Sequence, residues 1–91
     1  MITNVTRNID FQREYKLKHF DEMTVVMFFR VSDSYETYED DAETVSQICG
    51  WEVCNDAENQ CKKITFERKS LDWVLPKIIR RGMRVAIVDQ M

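Results

Sequence analysis

The sequence predicts an α/β domain, a mixed β-sheet with helices packed against it, that takes in residues 1–91 as one unit. Three observations carry this. Two continuous apolar runs, TVVMFFRV at 24–31 and VAIV at 85–88, have the β-branched and aromatic content of strands covered on both faces. Shorter segments in which apolar and polar residues alternate flank them, as half-buried strands do. Between the strands lie stretches of helical spacing, clearest at Leu71, Val74, Leu75, Ile78 and Ile79, which follow i, i+3, i+4, i+7, i+8.

Taken in order, the first helix spans about Asn8 to Phe20, with Phe11, Tyr15 and His19 along one side at fourfold spacing. His19 reads as a surface or staple residue, since nothing near it in sequence offers a catalytic partner. The strand at 24–31 ends in Arg30, whose guanidinium is expected to reach Asp33 or Glu36. After a tight connection at Ser32-Asp33, Tyr35 to Tyr38 alternates and forms an antiparallel strand. Asp40 then caps a helix, with Glu43 three positions on as in a capping box, and the acids stand where the helix dipole favours them. Ala42, Val45, Ile48 and Cys49 are its buried stripe and Gly50 its terminator. Trp51 to Cys54 is a short strand, Asn55 to Gln60 a polar turn, and Lys63 to Glu67 a strand with Ile64 and Phe66 on one side. Ser70 caps the last helix and Gly82 ends it, while Pro76 inside removes a backbone bond and is expected to kink it or confine it to shorter pieces. Arg84 to Asp89 closes as a second buried strand. The order is α-β-β-α-β-β-α-β.

Composition narrows the function. With 44% hydrophobic and 11% aromatic residues the chain builds a core and is not disordered. Its net charge of −3 is unevenly spread: residues 31–61 hold nine acids and no Lys or Arg, whereas 62–91 hold eight basic groups against three acids. A basic surface is thus compatible with an acidic average. The three cysteines, Cys49, Cys54 and Cys61, at spacings of five and seven with His19 as the lone histidine, do not match a zinc pattern. A polar start and the lack of a long apolar stretch predict a cytoplasmic chain without a membrane span. Glycine-rich phosphate loops, nucleophile elbows and Cys–His pairs are missing, so catalysis, a cofactor, a metal and a small-molecule substrate are not expected. The acids of 33–43, which resemble a magnesium cluster in number, are explained by the helix start.

Two stretches carry a resemblance. FFRVSDSYETYEDDA at 28–42 resembles the signature of the MutS mismatch-repair family's N-terminal domain, of the form (F/Y)-R-(M/V)-G-D-F-Y-E followed by an acidic helix start. IIRRGMRVAIVDQ at 78–90 resembles the end of the same domain, a helix closed by K-G-x-x-V-A-I-C-E-Q. The likeness runs from about Tyr15 to Gln90 and implies a small mixed-sheet α/β domain that touches mismatched DNA. In that family the Phe of F-x-E wedges into the duplex and stacks on the mispaired base, while the Glu hydrogen-bonds it. Glu36 matches the Glu, Tyr35 the middle position, and Ser34 stands where the Phe belongs. Ser32 replaces the family's glycine. A serine has no ring face, and base–aromatic stacking contributes roughly 1–3 kcal/mol per base.

Two readings follow. One is a non-catalytic module that binds mismatched or distorted DNA weakly through Ser34, Tyr35 and Glu36, with Lys77, Arg80, Arg81 and Arg84 as phosphate contacts. The other is an adaptor that kept the fold and lost DNA, pairing with another protein or with itself. Lys62, Lys63, Arg68 and Lys69 lie upstream of those four cations, and whether the basic groups of residues 62–84 share a surface with Ser34 and Glu36 separates the two readings.

Overall fold

The computed structural model describes residues 7–19 and 24–89. The elements are α1 (Asn8–Lys18), β1 (Val25–Val31), β2 (Ser34–Tyr38), α2 (Glu39–Cys49), β3 (Cys54–Asp56), β4 (Cys61–Glu67), a 3-10 turn (Arg68–Ser70) leading into α3 (Leu71–Ile79), and β5 (Arg84–Asp89). They follow the predicted order. Five strands form one mixed sheet, ordered β3-β4-β2-β1-β5, in which β1 and β5 are parallel and the other pairs antiparallel.

Alternation along the strands divides the core in two. On one face Val26 and Phe28 of β1, Tyr35 of β2, and Ile64 and Phe66 of β4 meet Ala42 and Val45 of α2 and Val74 and Ile78 of α3. On the other, Val25, Met27, Phe29 and Tyr38 gather under Ile9 of α1. The α2/α3 face is built on rings: Phe28 sits edge-on to Phe66 at 5.0 Å between centroids, and Trp51 lies 5.3 Å from Phe66.

Several local expectations change in the folded chain. Asp40 does not cap α2, because the helix starts at Glu39 and Tyr38 stands at its N-cap with extended backbone and no side-chain cap. The acid with a structural task is Asp41. Its carboxylate accepts the Met27 N–H at 2.9 Å and the Lys16 ammonium at 2.9 Å. The β1–β2 pairing runs from Phe29 to Val31, so Met27 lies beyond that ladder and needs another acceptor for its N–H. Burial pushes the Asp41 carboxyl above its usual range against the opposing pull of Lys16 and Met27. Gly50 does end α2, in the left-handed conformation at φ 75°, with its N–H on the Ser46 carbonyl.

Trp51 and Val53, expected on a strand, pack on the α2/α3 core from a loop, and the strand forms later, at Cys54–Asp56. Alternation there reflects two side chains reaching one cluster. Pro76 leaves α3 as one nine-residue helix, because it faces outward and so does Asp72, whose carbonyl loses the bond and meets water instead. Ser70 precedes α3 without a side-chain cap. On α1 the buried residues are Ile9 and Gln12, while Phe11 is 43% exposed and Tyr15 stacks on His19 at 4.2 Å. Phe20, the expected helix end, lies outside the described residues. Arg30 lies 3.9 Å from Asp89 of β5, its partner in register, rather than reaching Asp33 or Glu36. β5 itself is a strand of exposed and half-buried residues, not a buried one, and among the described residues it ends the sheet.

Candidate nucleic-acid interface

The tight β1–β2 connection presents the signature residues. Ser32 takes a left-handed φ of 57°. A glycine adopts this conformation freely and other residues at a cost of roughly 1 kcal/mol, so the turn that favours glycine forms here around a serine. From there β2 alternates. Ser34, Glu36 and Tyr38 face the α1 side, and Tyr35 faces the opposite core, where it is 6% exposed with its ring 5.6 Å from Phe66 and 6.3 Å from Phe28. Tyr35 is thus mostly buried in the opposite core, with an edge on the groove beside Ser34.

Glu36 is held on two sides. It accepts a 2.7 Å hydrogen bond from the Tyr38 hydroxyl, and the Lys63 ammonium lies 3.7 Å from its other oxygen. Lys63 also reaches Asp56 at 3.6 Å. The Asn8 amide donates to the Tyr38 hydroxyl at 3.3 Å, so α1 braces the same group. Burial first, then the bond to Glu36, raises the Tyr38 phenol above its ordinary value. A carboxylate has about four acceptor positions, and Tyr38 and Lys63 leave some of those on Glu36 for a further donor.

Beside Ser34 an open groove of about 860 Å³ runs between the hairpin and the entrance to α3. Its walls include Asp33, Glu67 and Asp72 against Arg68 and Lys69, an excess of one negative charge. The Arg68 N–H donates to the Asp33 carbonyl at 3.0 Å and locks the hairpin to the 3-10 turn. Lys69 pairs with Glu67 at 3.3 Å. Arg68 and Lys69, two of the basic groups of residues 62–84, come beside Ser34 through the β2–β4 register, which sets Ser34 opposite Glu67.

The other predicted cations lie elsewhere. α3 packs on the face opposite to the one Ser34 and Glu36 occupy, and it runs away from them, from Leu71 in the groove wall to its last turn. Lys77 sits 4.4 Å over the Trp73 ring, which lies 5.6 Å from Trp51. Arg80 and Arg81 follow the end of α3, and Arg84 opens β5 with its N–H on the Thr24 carbonyl. Arg84 is registered with Val25, whereas Ser34 is registered with Val31. Six residues of strand, roughly 20 Å, separate the two ends. Of the seven predicted residues, Ser34 and Tyr35 line the groove, while Ser34 and Glu36, both half-buried, share one face of β2 by alternation.

A protein-family model described as MutS domain I matches residues 10–91. The chain belongs to the MutS domain I family. It is 43% identical over 81 residues to a DNA mismatch repair protein MutS of Phocaeicola vulgatus and 44% identical over 81 residues to one of Bacteroides thetaiotaomicron, each time covering 86% of this chain. A DNA mismatch repair protein MSH7 of Arabidopsis thaliana is 28% identical over 80 residues. The chain spans 9% of the length of those two bacterial relatives and 7% of the plant one. Among the described residues no helix is long and apolar enough to cross a membrane. As a domain I relative, the chain combines a mixed sheet with a serine at the half-buried position that opens β2.

Proposed function

We propose that this chain is a non-catalytic MutS domain I module that binds distorted or mismatched duplex DNA weakly, through the β2 rim at Ser34 and Glu36. What supports this is that alternation puts those two half-buried side chains on one face of β2, with Glu36 held in place by Tyr38 and Lys63. Glu36 serves as the acceptor for a displaced base, and Arg68 and Lys69 beside the groove serve the phosphates. Ser34 offers a hydroxyl and no ring, so the module lacks the wedge that stabilises an unstacked step. Lys77, Arg80, Arg81 and Arg84 contribute to this mode at most at long range. The second reading, an adaptor freed of DNA, draws on the separation of those four cations from the rim and on the acidic excess of the groove.

A gel-shift titration with matched, mismatched and branched duplexes at two salt concentrations tests it. Weak binding that prefers distorted DNA is expected, with a log–log salt slope near −2 for about two phosphates. No binding at low salt would overturn it. Ser34→Phe should raise the preference for mismatched over matched duplex by about tenfold or more, which is the lower part of a stacking contribution of roughly 1–3 kcal/mol. An equal change on both duplexes would show that the rim does not meet the base.

A further inference from the structure

We propose that β5 is an interface between two copies of this chain, paired antiparallel edge to edge about a two-fold axis normal to the sheet; this stands apart from the DNA reading and does not rest on it. β5 ends the sheet among the described residues, so one row of its N–H and C=O groups faces outward. Edge strands are ordinarily protected by lysine, proline or a bulge, or kept very short. β5 is six residues long, its middle is Val85-Ala86-Ile87-Val88, and its one basic residue stands at the very start.

Side chains support the same pairing. Val85 belongs to the α2/α3 side, Ala86 and Val88 to the α1 side, and alternation puts Ile87, 43% exposed, with Val85. The two-fold keeps each face with itself. Ile87 then stands opposite Ile87 or Val85 of the copy, and Ala86 opposite Val88 or Ala86, so apolar residues meet on both faces in either register. On α3 the flank of Leu75 and Ile79 turns away from Trp73 and Lys77, which border α2, and towards β5; Ile79 is 59% exposed. It widens the apolar strip on the side of Ile87.

Charge selects the antiparallel sense. The start of β5 is basic, since Arg80 and Arg81 follow α3 and Arg84 opens the strand, and its end carries Asp89, two-thirds exposed. In the antiparallel pair Asp89 of the copy falls opposite Val85 or Met83, on the α3 side, at the end of β5 that Arg80 and Arg81 lead into. This happens at both ends of the interface. A parallel pair would set the three arginines against their own copies. Six edge residues and one helix flank make a small contact, which belongs to the weak, transient class of interfaces.

Sedimentation velocity on the 91-residue chain over a range up to about 1 mM tests the proposal. The expected result is a mass that rises from one towards two chains with concentration. Ile87→Lys should weaken the association at least tenfold, with an unchanged circular-dichroism spectrum, because the site is already exposed. Asp89→Lys should also weaken it, and Asp89→Lys with Arg81→Glu should recover most of the loss. A wild-type chain still monomeric at the highest concentration, or a dimer indifferent to Ile87→Lys, would overturn the proposal.

Discussion

The two faces of the sheet are held by different physics. On the α2/α3 side two helices close over aromatic and aliphatic side chains, and Phe28, Val45, Val74 and Ile78 are fully buried. On the α1 side a single helix covers half of the sheet and is fastened by polar contacts: Lys16 to Asp41 and to the Val25 carbonyl, Gln12 to the Tyr38 carbonyl, Asn8 to the Tyr38 hydroxyl, and Arg13 to Glu39. The rim residues Ser34 and Glu36 lie on that second, half-covered face. Both faces bury a core, and the one under α1 also carries the residues of the proposed contact.

Phenylalanine truncation breaks this contrast most strongly. Phe28→Ala is expected to cost about 3–5 kcal/mol, because the surrounding rings are pinned by helices on that side and cannot fill the void. Phe29→Ala, on the face where α1 alone can settle inward, should fall at or below the lower end of that range. Urea unfolding of both variants checks it, and equal losses would mean that the faces are packed alike.

A smaller effect is expected where a carboxylate joins the faces. Asp41→Ala should cost about 2 kcal/mol, since it orphans the Met27 N–H and leaves half-exposed Lys16 to water. Amide exchange in α1 should accelerate more than in α3. A uniform rise across both helices would show that Asp41 serves the whole fold rather than the docking of α1.

Tyr38→Phe has the least effect at neutral pH, about 1 kcal/mol for the bond to Glu36. The pH profile sharpens it. The folded phenol holds its proton above the ordinary value of 10.0, so the unfolded chain releases it first. Stability from this group is therefore complete below pH 10 and is lost as pH rises towards the folded value. Wild type should lose stability on that alkaline limb and Tyr38→Phe should lose less. Parallel curves from pH 9 to 11 would remove Tyr38 from the linkage.

Periodicity made the fold legible because local burial patterns are written residue by residue. The stripe of α3, the run of β1 and the left-handed stop at Gly50 each depend on neighbours a few positions away. Errors fell where a side chain had two plausible tasks. Asp40 and Asp41 suit a helix start by type, yet Asp41 serves an unpaired strand N–H that only the β1–β2 register creates. The VAIV run of β5 reads as buried, but sequence does not say which strand lies at the edge.

The sequence by itself determined the order of elements, their amphipathic faces, the family and the serine in the signature, since all of these live in residue identity and spacing. Which face Tyr35 takes, that Arg68 and Lys69 flank Ser34, that Lys77, Arg80 and Arg81 lie along and beyond α3 on the other face, and that Arg84 opens β5 roughly 20 Å along the sheet were decided by strand pairing and helix packing. These are contacts between residues distant in the chain, and their geometry is fixed only when the whole core closes.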